Sequence, residues 1–281
     1  MRVRRTAFLV MAVLVACEQG PQSLGENSVS EPLAERTSGR VGLIVGSVRT
    51  NDRDLGADTV RFDGFFARHR GISAMATIDA LDVRAVADVL GHRAGECWIE
   101  AQPSTERGEI ELLEVGALSA QGAATERLDA KTVPRLLDRI SGTLYKTAHD
   151  VTLGVDRRVR VRSMGGASVG PFEVRLEIPS AMNLVAVRGW TAGRALELAW
   201  NTDGSVGDAV VLSIRAGQTT SRCVVADKGD FTVDASYVGE GREAINVAAT
   251  RVRLSSFSAT GLQSAHAAVL VEENLSVSRG E

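Results

Sequence analysis

Several groups of residues have the types and spacing to do chemistry. Gly166-Ala-Ser168-Val-Gly170 matches the G-x-S-x-G pattern in which glycines permit a strained turn that exposes a serine nucleophile. That turn must lead from a strand into a helix. Here Pro171 and the alternating run Phe172-Val174-Leu176-Ile178 follow, so the expected element is a strand and Ser168 reads as part of a flexible turn. The four histidines, His69, His92, His149 and His266, stand apart, without a partner four residues away or a cysteine at finger spacing. Asn201, Asp203, Ser205 and Asp208, with Asp227 and Asp230 further on, offer oxygens for calcium but lack the full loop pattern with its closing glutamate, so they read as polar turns. The expectation is no catalytic residue, no metal ligand and no cofactor.

Arg157-Arg158-Val-Arg-Val-Arg162 places Arg158, Arg160 and Arg162 on one strand face. Such a stripe can meet an anionic partner, or be balanced by Glu173 and Glu177 on the following strand as a solvated ladder of charges. The ladder is the expected arrangement.

Three cysteines remain to be placed. Arg2, Arg4 and Arg5 precede an apolar run, Ala7 to Ala16, that is too short for a bilayer core needing about 20 residues. This is the form of a secretory leader. It ends in Leu14-Val15-Ala16-Cys17, which resembles the bacterial lipobox. The resemblance implies cleavage before Cys17, acylation of its thiol and new amino terminus (palmitate among the chains), and a lipid-anchored lipoprotein. Glu18, where an aspartate would retain the protein at the inner membrane, directs the expectation to the outer membrane. Cys97 and Cys223 are then an even pair in an oxidising compartment, either bridged or separately buried as inert thiols.

The elements that must position these residues read mostly as strands. Val41 to Val48 is an apolar run, and Leu196-Leu198-Trp200, Val210-Leu212-Ile214, Cys223-Val225 and Phe231-Val233 alternate. Leu81, Ala85, Val86, Val89 and Leu90 share a helical face between Asp79, a candidate cap, and Gly91, which predicts one short helix. A second helix is predicted around Leu128, Val133, Leu136, Leu137 and Ile140, with Pro134 near its start. The fold class is mainly β, organised as a signal peptide over 1–16, a lipidated flexible tether over 17–40, a β-rich domain with one or two short helices over 41–165, and an immunoglobulin-like antiparallel sandwich over 166–281. The glycine-rich stretch 163–170 marks the boundary.

The texts Leu196 to Trp200, Val210 to Ile214 and Arg222 to Phe231, with Glu109 to Gly116 and Ser141 to Tyr145 upstream, resemble an uncharacterised family of bacterial envelope lipoproteins with a C-terminal immunoglobulin-like sandwich. The resemblance implies fold and address, and no activity. It departs from antibody-type domains, because no second cysteine in 171–281 can pair with Cys223.

Composition bounds the rest. A chain of 281 residues with 44% apolar content can bury a core, and 28 glycines against 4% aromatics predict many turns. The formal net charge is −3, and loses three leader arginines on cleavage, which excludes a strongly basic nucleic-acid binder. The expected function is a non-catalytic binding or structural module, anchored in the membrane by lipid and engaging an envelope protein or polymer. The alternatives are a hydrolase of an envelope polymer with a dispersed site, and a carrier of an apolar ligand.

Overall fold

The computed structural model describes residues 38–49, 58–100, 108–136, 140–238 and 244–279. The leader, Cys17 and nearly all of the tether lie outside them. In chain order the elements are β1 (Ser38–Arg49), β2 (Thr59–Arg70), α1 (Ala74–Ala80), α2 (Arg84–Gly91), β3 (Glu96–Ile99), β4 (Glu109–Leu112), β5 (Leu118–Gln121), β6 (Thr125–Leu136), β7 (Ile140–Thr147), β8 (Val151–Thr152) and β9 (Arg158–Ser163). They continue with β10 (Phe172–Glu177), β11 (Val185–Ala186), β12 (Leu196–Ala199), β13 (Ala209–Ala216), β14 (Thr219–Ala226), β15 (Asp230–Val233), α3 (Ala235–Val238), β16 (Ile245–Ser256) and β17 (Ser264–Val277). The fold is mainly β.

One mixed sheet of 14 strands runs β10-β9-β5-β6-β7-β4-β2-β1-β17-β16-β13-β14-β3, with β8 beside β2. The first strand lies parallel to the last, Val41 opposite Ser264 through Ser47 opposite Leu270. Residues 41–46 of β1 are buried without interruption because both sheet faces are covered there. Leu43 and Val45 face a cluster with Ile78 and Val86 of the two helices, while Ile44 faces the opposite side with Phe62 and Phe66.

On that opposite side the sheet curls. Val159, Val161, Phe172, Val174 and Leu176 of β9 and β10 share a core with Ala267 and Val269 of β17. The closure is made by Phe172 against Phe257, ring centroids 4.8 Å apart, and by the Gly170 amide donating to the Thr260 carbonyl at 2.8 Å. Further along the same face a three-stranded sheet, β11-β12-β15, covers β13, β14 and β16 over a second core of Leu196, Leu198, Trp200, Leu212, Ile214, Cys223 and Val247.

The C-terminal strands therefore do stack in two layers, but not as a separate domain. β13, β14, β16 and β17 belong to the sheet that carries the N-terminal strands, and all described residues fall in one compact unit. The expected boundary at 166 is crossed by the hairpin β9–β10, Ser163 opposite Phe172. The tether gives way to strand earlier than expected, since β1 begins at Ser38.

Two helix expectations are also corrected. The single helix over 79–90 is two helices: Ser73 caps α1, its hydroxyl accepting from the Ala76 amide at 3.1 Å, and Asp82 turns the chain with φ +61° before α2. Residues 128–136 of that stretch are strand, and Leu137 lies outside the described residues: Leu128 points into the core opposite Thr147, and Pro134 falls within the register shift between Val133 and Leu136.

Candidate functional site

The arginine stripe comes first, because the backbone alone sets its spacing. In β9 the exposed and buried positions alternate strictly, with Val159 and Val161 inward and Arg158, Arg160 and Arg162 outward. The pairing with β10 places Glu177 opposite Arg158, Arg175 opposite Arg160 and Glu173 opposite Arg162. The glutamates answer this in part, as a charge ladder would. Arg158 Nη2 lies 3.0 Å from Glu177 Oε1. Glu173 Oε1 is shared, at 3.4 Å from Arg160 Nε and 3.5 Å from Arg175 Nε. Arg162 has no ion-pair partner among the described residues, and two carboxylates stand against four guanidiniums. Arg127 of β6 extends the positive face, since Ser119 of β5 is paired with both Arg127 and Arg162. A groove of 730 Å³ opens beside this face, lined by Arg158, Arg160, Arg175 and Arg253 together with the carboxylates of Asp156 and Glu177; Arg162 continues the row beyond it. Arg157 is not part of the stripe. Its φ is +49°, and its guanidinium donates to the carbonyls of Ile178 and Pro179 while pairing with Asp58.

Arg253 leads to a second cluster, which sequence reasoning missed. Alternate residues of β16 face the second core, Val247 and Ala249 entering it, and Arg251 and Arg253 continue the same row into a seam of charges. Arg251 is fully buried. Its Nε lies 2.9 Å from Asp227 Oδ2, its Nη2 reaches Asp227 Oδ1 at 3.3 Å and the Asn201 carbonyl, and its Nη1 donates to the Ser180 carbonyl at 2.7 Å. Trp200 Nε1 donates to the same Asp227 Oδ1 at 2.7 Å. Arg253 grips Asp208 with two bonds, 2.9 and 2.6 Å, and also pairs with Asp203.

Burial opposes ionisation of Asp203, but the Ser180 hydroxyl and amide and the Arg253 guanidinium outweigh it and hold the carboxyl below its usual range. Side-chain bonds to Asp208 and Asp203 raise the Arg253 guanidinium against opposing burial. Of the oxygens that suggested calcium, those of Asp203, Asp208 and Asp227 and the Asn201 carbonyl are occupied by arginine. The available signal was the pair of charges at alternate positions in the apolar text Val247-Ala-Ala-Thr-Arg251-Val-Arg253-Leu254, which marks charge on a core-facing row.

Cys97 and Cys223 are joined in a disulfide, S–S 2.07 Å. They are direct neighbours in the β3–β14 pair. Glu100 donates to the Thr220 carbonyl at 2.8 Å, and the alternation of antiparallel pairs then makes Cys97 and Cys223 a non-hydrogen-bonded pair, where Cα atoms approach most closely.

The remaining candidates are dispersed. Ser168 lies in a turn without left-handed backbone at its own position, fixed by the Gly166 amide donating to the Val169 carbonyl at 2.9 Å, and it leads into β10. Gly116 and Gly165 meet backbone to backbone beside it. A Cβ on Gly116, whose φ is +75°, would stand 2.2 Å from the Gly165 oxygen, so the glycines serve close packing rather than a nucleophile elbow. His69 is buried with Nδ1 2.8 Å from the Ile72 carbonyl, His92 stacks on Trp98 at 3.8 Å, and His149 is exposed. Both ring nitrogens of His266 are buried without a partner, and burial holds its pKa below the ordinary value. Among the described residues no three His, Cys, Asp or Glu side chains converge as a metal site.

No family model matches the chain, and no curated protein matches it. Among solved structures it is similar to the Fcho1 Mu homology domain of Danio rerio with bound Eps15 peptide, at 8% identity over 85% of this chain and 98% of that one, with a TM-score of 0.24. A likeness of that order carries no argument about this chain.

Proposed function

We propose that this protein is a lipid-anchored, non-catalytic binding module of the cell envelope, held at the outer membrane through Cys17. The observation that carries the reading is the face of β9 and β10, where four outward arginines meet two glutamates. A purely structural ladder has no use for the surplus, since like charges directly opposite one another, as at Arg160 and Arg175, are destabilising. The address is supported by the leader with its Leu14-Val15-Ala16-Cys17 ending, and by the Cys97–Cys223 bridge, a bond that persists in oxidising compartments. Two acyl chains make such anchoring stable, at about 0.8 kcal/mol per buried methylene.

Two measurements on the full chain test this reading. Cys17→Ser moves the protein from the membrane to the soluble fraction; retention in the membrane overturns the anchor. A photo-crosslinking residue at position 162 captures envelope material in cells, and the same residue at position 188, exposed on the far sheet, does not. Equal capture at both positions removes the arginine face from the function.

A further inference from the structure

The arginine face also specifies what it holds. We propose that the arginine row of β9, with the groove beside its Arg158–Arg160 end, binds a linear acidic polysaccharide, reading the interval between its anionic groups; this rests on the reading of that face as the binding surface. The argument starts from strand geometry. Arg158, Arg160 and Arg162 are every second residue of one strand, so their Cα atoms are spaced by roughly 6.5–7 Å and the row spans roughly 13 Å. A single small anion uses one of these positions. A polymer with charges at a similar interval uses all of them at once, gaining the effective concentration of a multivalent ligand.

The charge distribution agrees. At one end Arg158 is paired with Glu177, in the middle Arg160 and Arg175 share one Glu173 oxygen, and Arg162 at the other end has no ion-pair partner among the described residues. One unneutralised charge therefore lies in the middle of the row and one at Arg162, instead of both gathering at a point. These side chains stay exposed, 47% for Arg160 and 76% for Arg175, so their guanidiniums are free to turn onto a ligand.

The groove discriminates between sources of negative charge. It is concave and flanked by Gln121, Gly122 and Ser255, which offer hydrogen-bonding groups suited to hydroxyls and no protruding apolar side chains to enter a bilayer. No aromatic residue lines it, so it lacks the stacking platforms by which proteins hold single-stranded nucleic acid. A hydroxyl-rich chain with regularly placed carboxylates or phosphates fits what remains.

The test uses the purified full chain in neutral detergent, with polygalacturonate as the polymer. Controls are galacturonate monomer, neutral dextran and vesicles containing phosphatidylglycerol. The expected result is saturable binding of the polymer, weakening as salt rises, with no binding of dextran and binding of monomer at least about 100-fold weaker. Each exposed guanidinium contributes about threefold, so Arg160→Gln with Arg162→Gln weakens the polymer about tenfold, while Arg188→Gln with Arg194→Gln on the far sheet leaves it within about twofold. Monomer binding as tightly as polymer, or vesicle binding without polymer binding, overturns the proposal and leaves the face as a binding surface. Absence of all binding, with capture in cells at position 162 retained, also overturns the polysaccharide alone. Loss of that capture as well removes the face and the proposal together. An unchanged near-ultraviolet circular dichroism spectrum establishes that the variants are folded.

Discussion

Removing either partner of the buried pair Arg251–Asp227 should destabilise the protein, and the two removals should differ in a predictable order. The seam holds Arg251 and Arg253 against Asp203, Asp208 and Asp227, three carboxylates for two guanidiniums. Side-chain exposure is 0% for Arg251 and 2% for Asp227, so neither charge can turn to water when its partner is lost. Breaking a buried pair costs about 3–5 kcal/mol. Asp227→Asn leaves the seam neutral overall and retains an acceptor for Trp200 Nε1, which puts its cost near the lower end, about 3 kcal/mol. Arg251→Met leaves three carboxylates against one guanidinium and frees the carbonyls of Ser180 and Asn201, which puts its cost at the upper end, about 5 kcal/mol. Asp227→Ala adds an unsatisfied indole N–H, about 1–3 kcal/mol beyond Asp227→Asn. Urea unfolding near pH 7 measures all three as shifts in midpoint at constant slope. Costs below about 1 kcal/mol, or a cheaper Arg251→Met than Asp227→Asn, would refute the reasoning that a charge-specific seam joins the two cores.

Two other perturbations address the covalent link and the buried imidazole. The Cys97–Cys223 bridge spans a sequence separation of 126, and the chain-entropy model gives about 5 kcal/mol for a loop of that length, so replacing both cysteines by alanine lowers stability by up to that amount; a loss under about 1 kcal/mol in urea would show that β3 needs no tether. His266 has a folded-state pKa below the ordinary 6.5, so the unfolded chain takes up the proton first and stability falls as pH drops through 6.5. Between pH 7.5 and 5.5 this contributes up to about 1.4 kcal/mol, which His266→Leu abolishes in paired urea titrations; identical pH dependence in both proteins would rule the imidazole out as its source.

How much of this was legible in the residues depended on range. Strict alternation over Arg158 to Ser163 and Phe172 to Glu177 gave both strands and their facing charges, because period two is a local property. The stretch around Leu128 to Ile140 misled because apolar residues three to five apart imitate a helical face, whereas Leu128, Val133 and Leu136 belong to one strand and Ile140 opens its antiparallel neighbour. Ser163 to Gly170 has the composition of a linker, yet its glycines serve close backbone packing against Gly116, a contact that no local pattern announces. The parallel pairing of β1 with β17 and the antiparallel pairing of β3 with β14, whose cysteines are 126 residues apart, are long-range choices that neither strand encodes alone. The seam fell between these cases: Arg251 and Arg253 were visible as charges, but their burial required knowing that the row of Val247 and Ala249 continues beneath Ser180, Asn201 and Asp227.

The same non-local features bear on how the arginine face can recognise a ligand. Two cores that meet on one sheet could flex about their junction, but here β17 runs through both, with Ala267 and Val269 in one and Val277 in the other, and the seam ties Ser180, Asn201, Asp203, Asp208 and Asp227 to β16. Arg253 belongs to the seam and also lines the groove, and its Nη1 approaches the Glu177 carbonyl of β10 at 3.5 Å. The far edge of the groove is thus fixed to the most heavily bonded part of the protein. The outward arginines keep mobile tips on immobile Cα positions, so the interval between their points of attachment is set by the strand while each guanidinium can turn onto the ligand. A site of this kind selects by spacing, with little ordering of its backbone to offset on binding. Loosening the seam by Asp227→Asn should therefore reduce polymer affinity without touching any groove arginine, whereas a site that relied on total charge alone would bind as before.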